Sequence, residues 1–433
     1  MATESQQLRQ ALLRRGVVMP APEAVVLEDL DPQRIAPGVV LHPGTTLRGR
    51  RTLLGAGTEL GLAGGGCFQD IGCGPGVRLW GGHHQDAVYL DGVQLRGHAE
   101  VRAGTLLEEG CQGGQHLGFK MTVLLSNTVV GSLVNFCDAI VAGGPSASMH
   151  SEIGSCTALY NFSPQGDKWA SVFGDPFDGL VERSAPVFIG GQTQVVSPVR
   201  IGPGTVIPAG AAVRRDVPGG RLYAEAGPVM DLPFDPALYG PLDRKLDATF
   251  AYIGTLAALA TWYDLVRGAW ARGAEAQPHS ELYRMAAEQL RVGVAERIGR
   301  LDQLIGKLPV SSAAHRMALE TSSDAARRPW HQACVEEQSL LIDRWPVLRQ
   351  RIQERAASAA QAADIAPGPL SAGEGPRSLV LLGARLATDP SASRTSFRQA
   401  LASIEPSLLD DAIVALRSAA AWVARGGDSA SNA

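Results

Sequence analysis

Long apolar runs are missing from this chain. No stretch reaches the roughly 20 uninterrupted apolar residues of a bilayer-crossing helix, so no membrane span is expected. Charge of one sign is missing too. Against 39 Lys and Arg stand 43 Asp and Glu, and a net charge of −4 offers no electrostatic footprint for nucleic acid or an anionic membrane. Residues 1–16 have amphipathic helical spacing (Leu8, Leu12, Leu13) but no signal-peptide core, so the expected location is the cytoplasm. The six cysteines, Cys67, Cys73, Cys111, Cys137, Cys156 and Cys334, form no CxxC pair and no zinc spacing. They are expected to be reduced, buried thiols, and no metal cofactor is expected. His83–His84 has no third ligand nearby in sequence and reads as a solvated loop pair. The triple glycine at 64–66 is not followed by the Gly-Lys-Ser/Thr of a phosphate loop, so a bulged coil is expected there.

What is present is a repeat. Ile189, Val195, Ile201, Ile207 and Val213 recur at steps of six, and Thr193, Val199, Thr205 and Ala211 each follow one of them by four. Gly190, Gly202, Gly204 and Gly210 fall at the bends. One inward apolar residue, one small residue and a corner glycine per six is the hexapeptide β-helix signature. The pattern is traceable from Ile35 through Leu41 and Leu47, and again through Leu95, Val101 and Leu107. After Pro218 the spacing turns helical.

The resulting expectation is a β + α chain: a left-handed parallel β-helix followed by a helical C-terminal domain. A leader and cap covers 1–34, the β-helix 35–230, a helical domain 231–355, a linker 356–376 and a last helical segment 377–433. Helices are expected over 242–266, from 282 to about Pro309, over 331–360 with a kink at Pro346, and over 407–422.

Three hexapeptides make one triangular coil, so residues 18 apart stack about 4.8 Å apart. Arg102 and Lys120 are 18 apart. Two cations held that close repel unless an anion bridges them, so the spacing fits either a phosphate clamp or two solvated surface charges.

The stretches RAGTLLEEG (102–110), VGSLVNFCD (130–138), IGSCTALYNFSPQGDK (153–168) and GGQTQVVSPVRIGPGTVIPAGAAVRRDV (190–217), with Lys120, carry a resemblance. They resemble the acetyltransferase half of the bacterial bifunctional N-acetylglucosamine-1-phosphate uridyltransferase/glucosamine-1-phosphate acetyltransferase. The resemblance implies that Arg102 and Lys120 bind a sugar phosphate and that Asn161 and Lys168 line the same pocket. It also implies acetyl-CoA as acyl donor, contacted near Gly190, Gly191 and Ala209, and a homotrimer with sites between neighbouring β-helices.

Two positions depart from that family. Its catalytic histidine is matched by Ser132 and an adjacent tyrosine by Asn135. A serine hydroxyl accepts no proton at neutral pH without a base of its own. Six extra residues between Asp138 and Ile153 end at His150–Ser151–Glu152–Ile153–Gly154, which resembles a stretch carrying the catalytic histidine of other hexapeptide acyltransferases. His150 is therefore the candidate replacement base, with Glu152 to orient it, and His116 is a second candidate. The alternative is a loop histidine without a role in chemistry. Nothing in residues 1–100 resembles the AAGxGTRM-like loop of the uridyltransferase half, so that activity is not expected.

Three functions follow: a CoA-dependent N-acyltransferase on an amino-sugar phosphate or nucleotide sugar, a non-catalytic sugar-phosphate-binding protein, or a β-helix serving only as an oligomerisation core.

Overall fold

A computed structural model describes residues 4–225, 235–273, 277–321, 326–361, 397–402 and 404–424, with isolated positions at Leu379, Leu382, Arg385 and Leu386. After helix α1 (Glu4–Arg14), the chain winds into a left-handed parallel β-helix of about 10 turns. Parallel pairing already begins at Val18, opposite Val40, and Val26–Glu28 pairs with Thr45–Arg48. The boundary expected at Ile35 therefore falls inside the coil: the Pro-rich leader is its first turn. The last parallel bridge joins Val206 to Leu222.

The inward positions behave as the six-residue step requires. Ile189, Val195, Ile201, Ile207 and Val213 are wholly buried. Each such side chain contributes roughly 1.5–3 kcal/mol on burial. The small-residue position has a second job. Thr193 and Thr157 donate their hydroxyls to the corner carbonyls of Gly190 and Gly154, at 2.6 and 2.7 Å, so a polar group inside the coil is satisfied. Gly190 and Gly154 cannot carry a Cβ, which would lie 2.3 Å from the nitrogens of Ala209 and Gly191 on the next coil.

One face of the triangle differs from the other two. Its strands Ala87–Tyr89, Thr105–Leu107 and Ser171–Phe173 are buried at every position, whereas Gln194–Val196 alternates exposed and buried. The outward residues Val88, Leu106, Val123, Ile140 and Val172 belong to one apolar cluster with the helical region. That region comprises α3 (Asp243–Trp262), α4 (Gly268–Gly273), α5 (Gln277–Thr321), α6 (Arg328–Gln361), α7 (Phe397–Ala402) and α8 (Pro406–Ala424), with the short α2 (Pro176–Leu180) budding from the coil itself. The helices are thus a lid over one side of the β-helix. Strands buried on both faces read as continuous apolar runs.

A buried ionic network pins the lid. Arg267 donates to both carboxylate oxygens of Glu109, at 2.5 and 3.0 Å, and the Tyr263 hydroxyl donates to Glu108 at 2.5 Å. The Arg267 guanidinium lies 4.2 Å from the Phe397 ring centre. Burial drives Glu108 above the usual carboxylate range; burial also pushes on Glu109, but Arg267 wins and holds it low. Both partners sit on the π turn Tyr263–Arg267 that joins α3 to α4.

Several expectations change. Helix α5 does not stop near Pro309 but continues to Thr321. Beyond the proline, Ser311 accepts from Tyr239 N and His315 bonds to Tyr239 O, so tertiary contacts offset the lost backbone bond. His84 is no loop residue. It lies in Arg78–Gln85, fully buried, and Nε2 donates to Gly81 O at 3.1 Å while Nδ1 accepts from the Tyr89 hydroxyl at 2.7 Å. Burial pushes its pKa down to about 4. All six thiols are free, yet Cys156 is exposed in a turn and Cys67 and Cys137 are half-buried. The linker expected at 356–376 is helical as far as Gln361 and otherwise lies outside the described residues. No helix among the described residues is long and apolar enough to cross a membrane.

Candidate functional site

The register places the predicted cations on one edge of the triangle. Val101 pairs with Phe119, which sets Arg102 directly beside Lys120, and Lys120 pairs in turn with Cys137. Asn161 and Lys168 close the same patch from a small excursion of the coil. Trp169 N donates to Asn161 O and Phe162 bridges Lys168 antiparallel, so 161–169 folds back as a hairpin with both residues at its base. Burial pushes the Cys137 thiol up, with Asp138 adding to it, while Arg102, Lys168 and Lys120 all pull it down. Three cations therefore surround one small half-buried side chain. None of the three has an ion-pair partner among the described residues, which is the electrostatic condition for an anion site.

The helical region reaches into this edge. Arg297 of α5 donates to Asp138 Oδ1 at 2.8 Å and to Lys168 O at 3.1 Å. Asn161 Nδ2 donates to the other Asp138 oxygen. Burial nevertheless raises the Asp138 pKa despite Arg297. Lys307 Nζ and the Tyr239 hydroxyl both hold Asp167, at 2.8 and 2.7 Å, and thereby clamp the hairpin tip. Asp138, Arg297, Asp167, Lys307 and Tyr239 were not anticipated. An arginine inside a long helix carries no sequence signal for a contact 159 positions away.

The remaining candidates sit at other corners. One turn of the coil runs Thr128–Val130, a bend at 131–134, then Asn135–Val141, which itself crosses the cationic edge at Asp138, then the insert 142–150 and Ser151–Ile153. Ser132 is in the first bend, the cationic edge is the second, and His150 ends the third. Ser132 Oγ accepts from Gln115 N at 3.1 Å, and Ser132 N donates to Ser155 Oγ at 3.1 Å, so the serine is a rung of a turn ladder. Gly190, Gly191 and Ala209 lie on that same first corner. Asn135 is exposed beside Gly118, on the face between the first and second corners. His150 Nδ1 donates to Ala147 O at 2.9 Å, which leaves Nε2 facing Glu152 at 3.6 Å. His116 is exposed in the turn next to Leu133. One chain brings Arg102, Lys120, Asn161 and Lys168 together, and it keeps Ser132 and His150 apart from them.

Fold and cationic edge together define a hexapeptide-repeat β-helix protein whose open edge is flanked by its own helices. The chain is 26% identical over 226 residues to the bifunctional protein GlmU of Nitratidesulfovibrio vulgaris strain DP4, covering 51% of this chain and 44% of that protein. It is 28% identical over 194 residues to the bifunctional protein GlmU of Mycobacterium tuberculosis strain CDC 1551 / Oshkosh, covering 44% and 34%. The chain thus spans less than half the length of these relatives. No family model matches. Among solved structures, the polySia-specific acetyltransferase NeuO aligns at 15% identity over 49% of this chain and 73% of that one, with a TM-score of 0.17.

Proposed function

We propose that this chain is an acyltransferase of the hexapeptide class that moves an acyl group from acyl-CoA to the amine of an amino-sugar phosphate or nucleotide sugar, in the manner of a glucosamine-1-phosphate acetyltransferase. The carrying observation is the stack of Arg102 over Lys120 with Lys168 beside it, three cations without carboxylate partners on an open edge. The similarity to the GlmU proteins supports the same reading. In it, the phosphate is held by Arg102 and Lys120, Asn161 and Lys168 bound the sugar, and His150 takes the proton that the attacking ammonium must lose. Backbone N–H groups near Gly190, Gly191 and Ala209 receive the thioester oxygen. Because the cationic edge, the Gly190 corner and His150 occupy three corners of one chain, the reading requires edges of neighbouring copies to meet, as a homotrimer would allow.

The test is release of free thiol when acetyl-CoA is mixed with the protein and glucosamine-1-phosphate or an amino nucleotide sugar. Turnover with either acceptor supports transfer. A second reading is a sugar-phosphate-binding protein without catalysis, favoured by the Ser132 hydroxyl being engaged with Gln115 N. Binding without thiol release from any amino sugar would establish that alternative.

A further inference from the structure

A cavity of about 270 Å³ lies further along the same edge, between the coil and the first turn of α3. Its lining includes Tyr160, Phe162, Trp169, Arg214, Arg244 and Lys245. The register carries the Cys137 column onward. Asn135 pairs with Ala158, which sets Tyr160 beside Cys137; Tyr160 pairs with Val196, and Val195 pairs with Val213, which sets Arg214 beside Val196. Tyr160 is thus two coils beyond Lys120, about 10 Å along the axis.

The lining combines two unusual features. Three cations and no carboxylate face the cavity. Two acids face these cations from outside the lining: Asp167 faces Lys245 but is held by Lys307 and Tyr239, and Glu225 faces Arg214, accepting from its backbone nitrogen and from the Tyr223 hydroxyl. Lys245 sits 5.3 Å from the Trp169 ring centre, half-buried, and no carboxylate among the described residues pairs with it. Arg244 is fixed by a bond from Nη1 to Pro198 O. The second feature is aromatic surface left in solvent. Tyr160 is 50% and Phe162 63% exposed. Exposed rings next to unpaired cations suit a planar base bearing phosphate, since each base offers a π-face for stacking and each phosphate takes charge-assisted bonds.

We propose that this cavity binds the phosphorylated nucleoside end of a substrate, with phosphates on Arg214, Arg244 and Lys245 and the base against Tyr160 and Phe162. The rest of the ligand then runs along the edge toward Lys168 and Lys120, a direction that rests on the acyl-transfer reading; the nucleoside site itself does not. Two substrates carry such an end. Coenzyme A ends in a 3′,5′-adenosine bisphosphate, and a nucleotide sugar carries a nucleoside diphosphate.

Calorimetry on the full chain with 3′,5′-ADP, UDP, adenosine and inorganic pyrophosphate tests the site. At least one nucleotide should bind saturably, and more tightly than adenosine or pyrophosphate. A preference for 3′,5′-ADP assigns the cavity to the acyl donor, and a preference for UDP assigns it to the acceptor. Lys245→Ala and Arg214→Ala should each weaken the nucleotide about tenfold. Phe162→Ala should weaken it about fivefold or more while leaving pyrophosphate unchanged. Arg102→Ala should leave nucleotide binding intact while weakening glucosamine-1-phosphate binding about tenfold or more, so failure of the sugar-phosphate site is read separately. The proposal is overturned if neither nucleotide saturates at millimolar concentration, if pyrophosphate binds as tightly as both, or if the Lys245 and Arg214 variants bind as the parent does.

Discussion

Arg297 Nη2 lies 2.8 Å from Asp138 Oδ1, and this pair ties α5, the longest helix among the described residues, to the edge that carries Arg102 and Lys120. Both side chains are almost wholly buried, at 2% and 4% exposure. A buried carboxylate that loses its cation keeps its desolvation cost. Arg297→Met should therefore lower unfolding free energy by about 3–5 kcal/mol, and adding Asp138→Asn should recover much of that. Urea unfolding of the three proteins is the measurement. Parent-like stability in Arg297→Met would show that the pair carries no such coupling.

Loss of a charge-assisted contact should be felt at the cationic edge without unfolding, because Arg102 is exposed. Arg102→Ala should cost roughly 1.5–3 kcal/mol of glucosamine-1-phosphate binding by calorimetry. Lys120→Ala should behave alike, since the register makes the two side chains neighbours. Unchanged affinity in both would remove the clamp.

For the chemical step, His150→Ala should reduce thiol release by about 10²–10⁴-fold and leave sugar-phosphate affinity nearly untouched. Ser132→Ala should do much less, because its hydroxyl already accepts from Gln115 N. Initial rates of both variants decide the matter. The opposite ranking would transfer the chemistry to Ser132.

His84 should make stability depend on pH. Burial lowers its folded pKa to about 4 from 6.5, so between these values the unfolded chain binds more protons than the folded one. Its contribution is complete above 6.5 and falls as the medium is acidified, by roughly 3 kcal/mol once pH drops below 4. Unfolding free energies at pH 7 and pH 4.5 should differ more in the parent than in His84→Gln. An imidazole titration of His84 by NMR with a midpoint near 6.5 would contradict this and does not depend on the variant folding.

The six-residue step made the coil legible. Its inward positions recur every six residues in the last turns although several outward neighbours (Phe188, Val196, Val206) are also apolar, and the period alone says which side chains face in. The stack of Arg102 on Lys120 was legible for the same reason, since the coil between them keeps the length of three hexapeptides and so converts spacing into proximity. His84 was misread because a histidine on an inward register position looks no different from one in a loop; only the partners Gly81 O and Tyr89 show what makes it buried. The extent of α5 past Pro309 was misread because the proline's local cost is visible in sequence and the contacts of Ser311 and His315 are not.

Local repetition thus determined the β-helix and the stack of Arg102 on Lys120, because the regular coils repeat the same short-range geometry; the register of the shortened and inserted coils, such as Lys120 on Cys137 and Thr128 on Ser151, did not follow the step. Tertiary structure alone decided that the helices cover the face of Val88, Leu106, Val123, Ile140 and Val172. It alone decided that Glu108 and Glu109 of the RAGTLLEEG stretch meet Arg267 rather than solvent, and that Arg297, Lys307 and Tyr239 grip the hairpin bearing Lys168. Those contacts join residues far apart in the chain; burial of apolar area stabilises them and ion pairing offsets the cost of desolvating the charges, which no periodicity in one segment encodes.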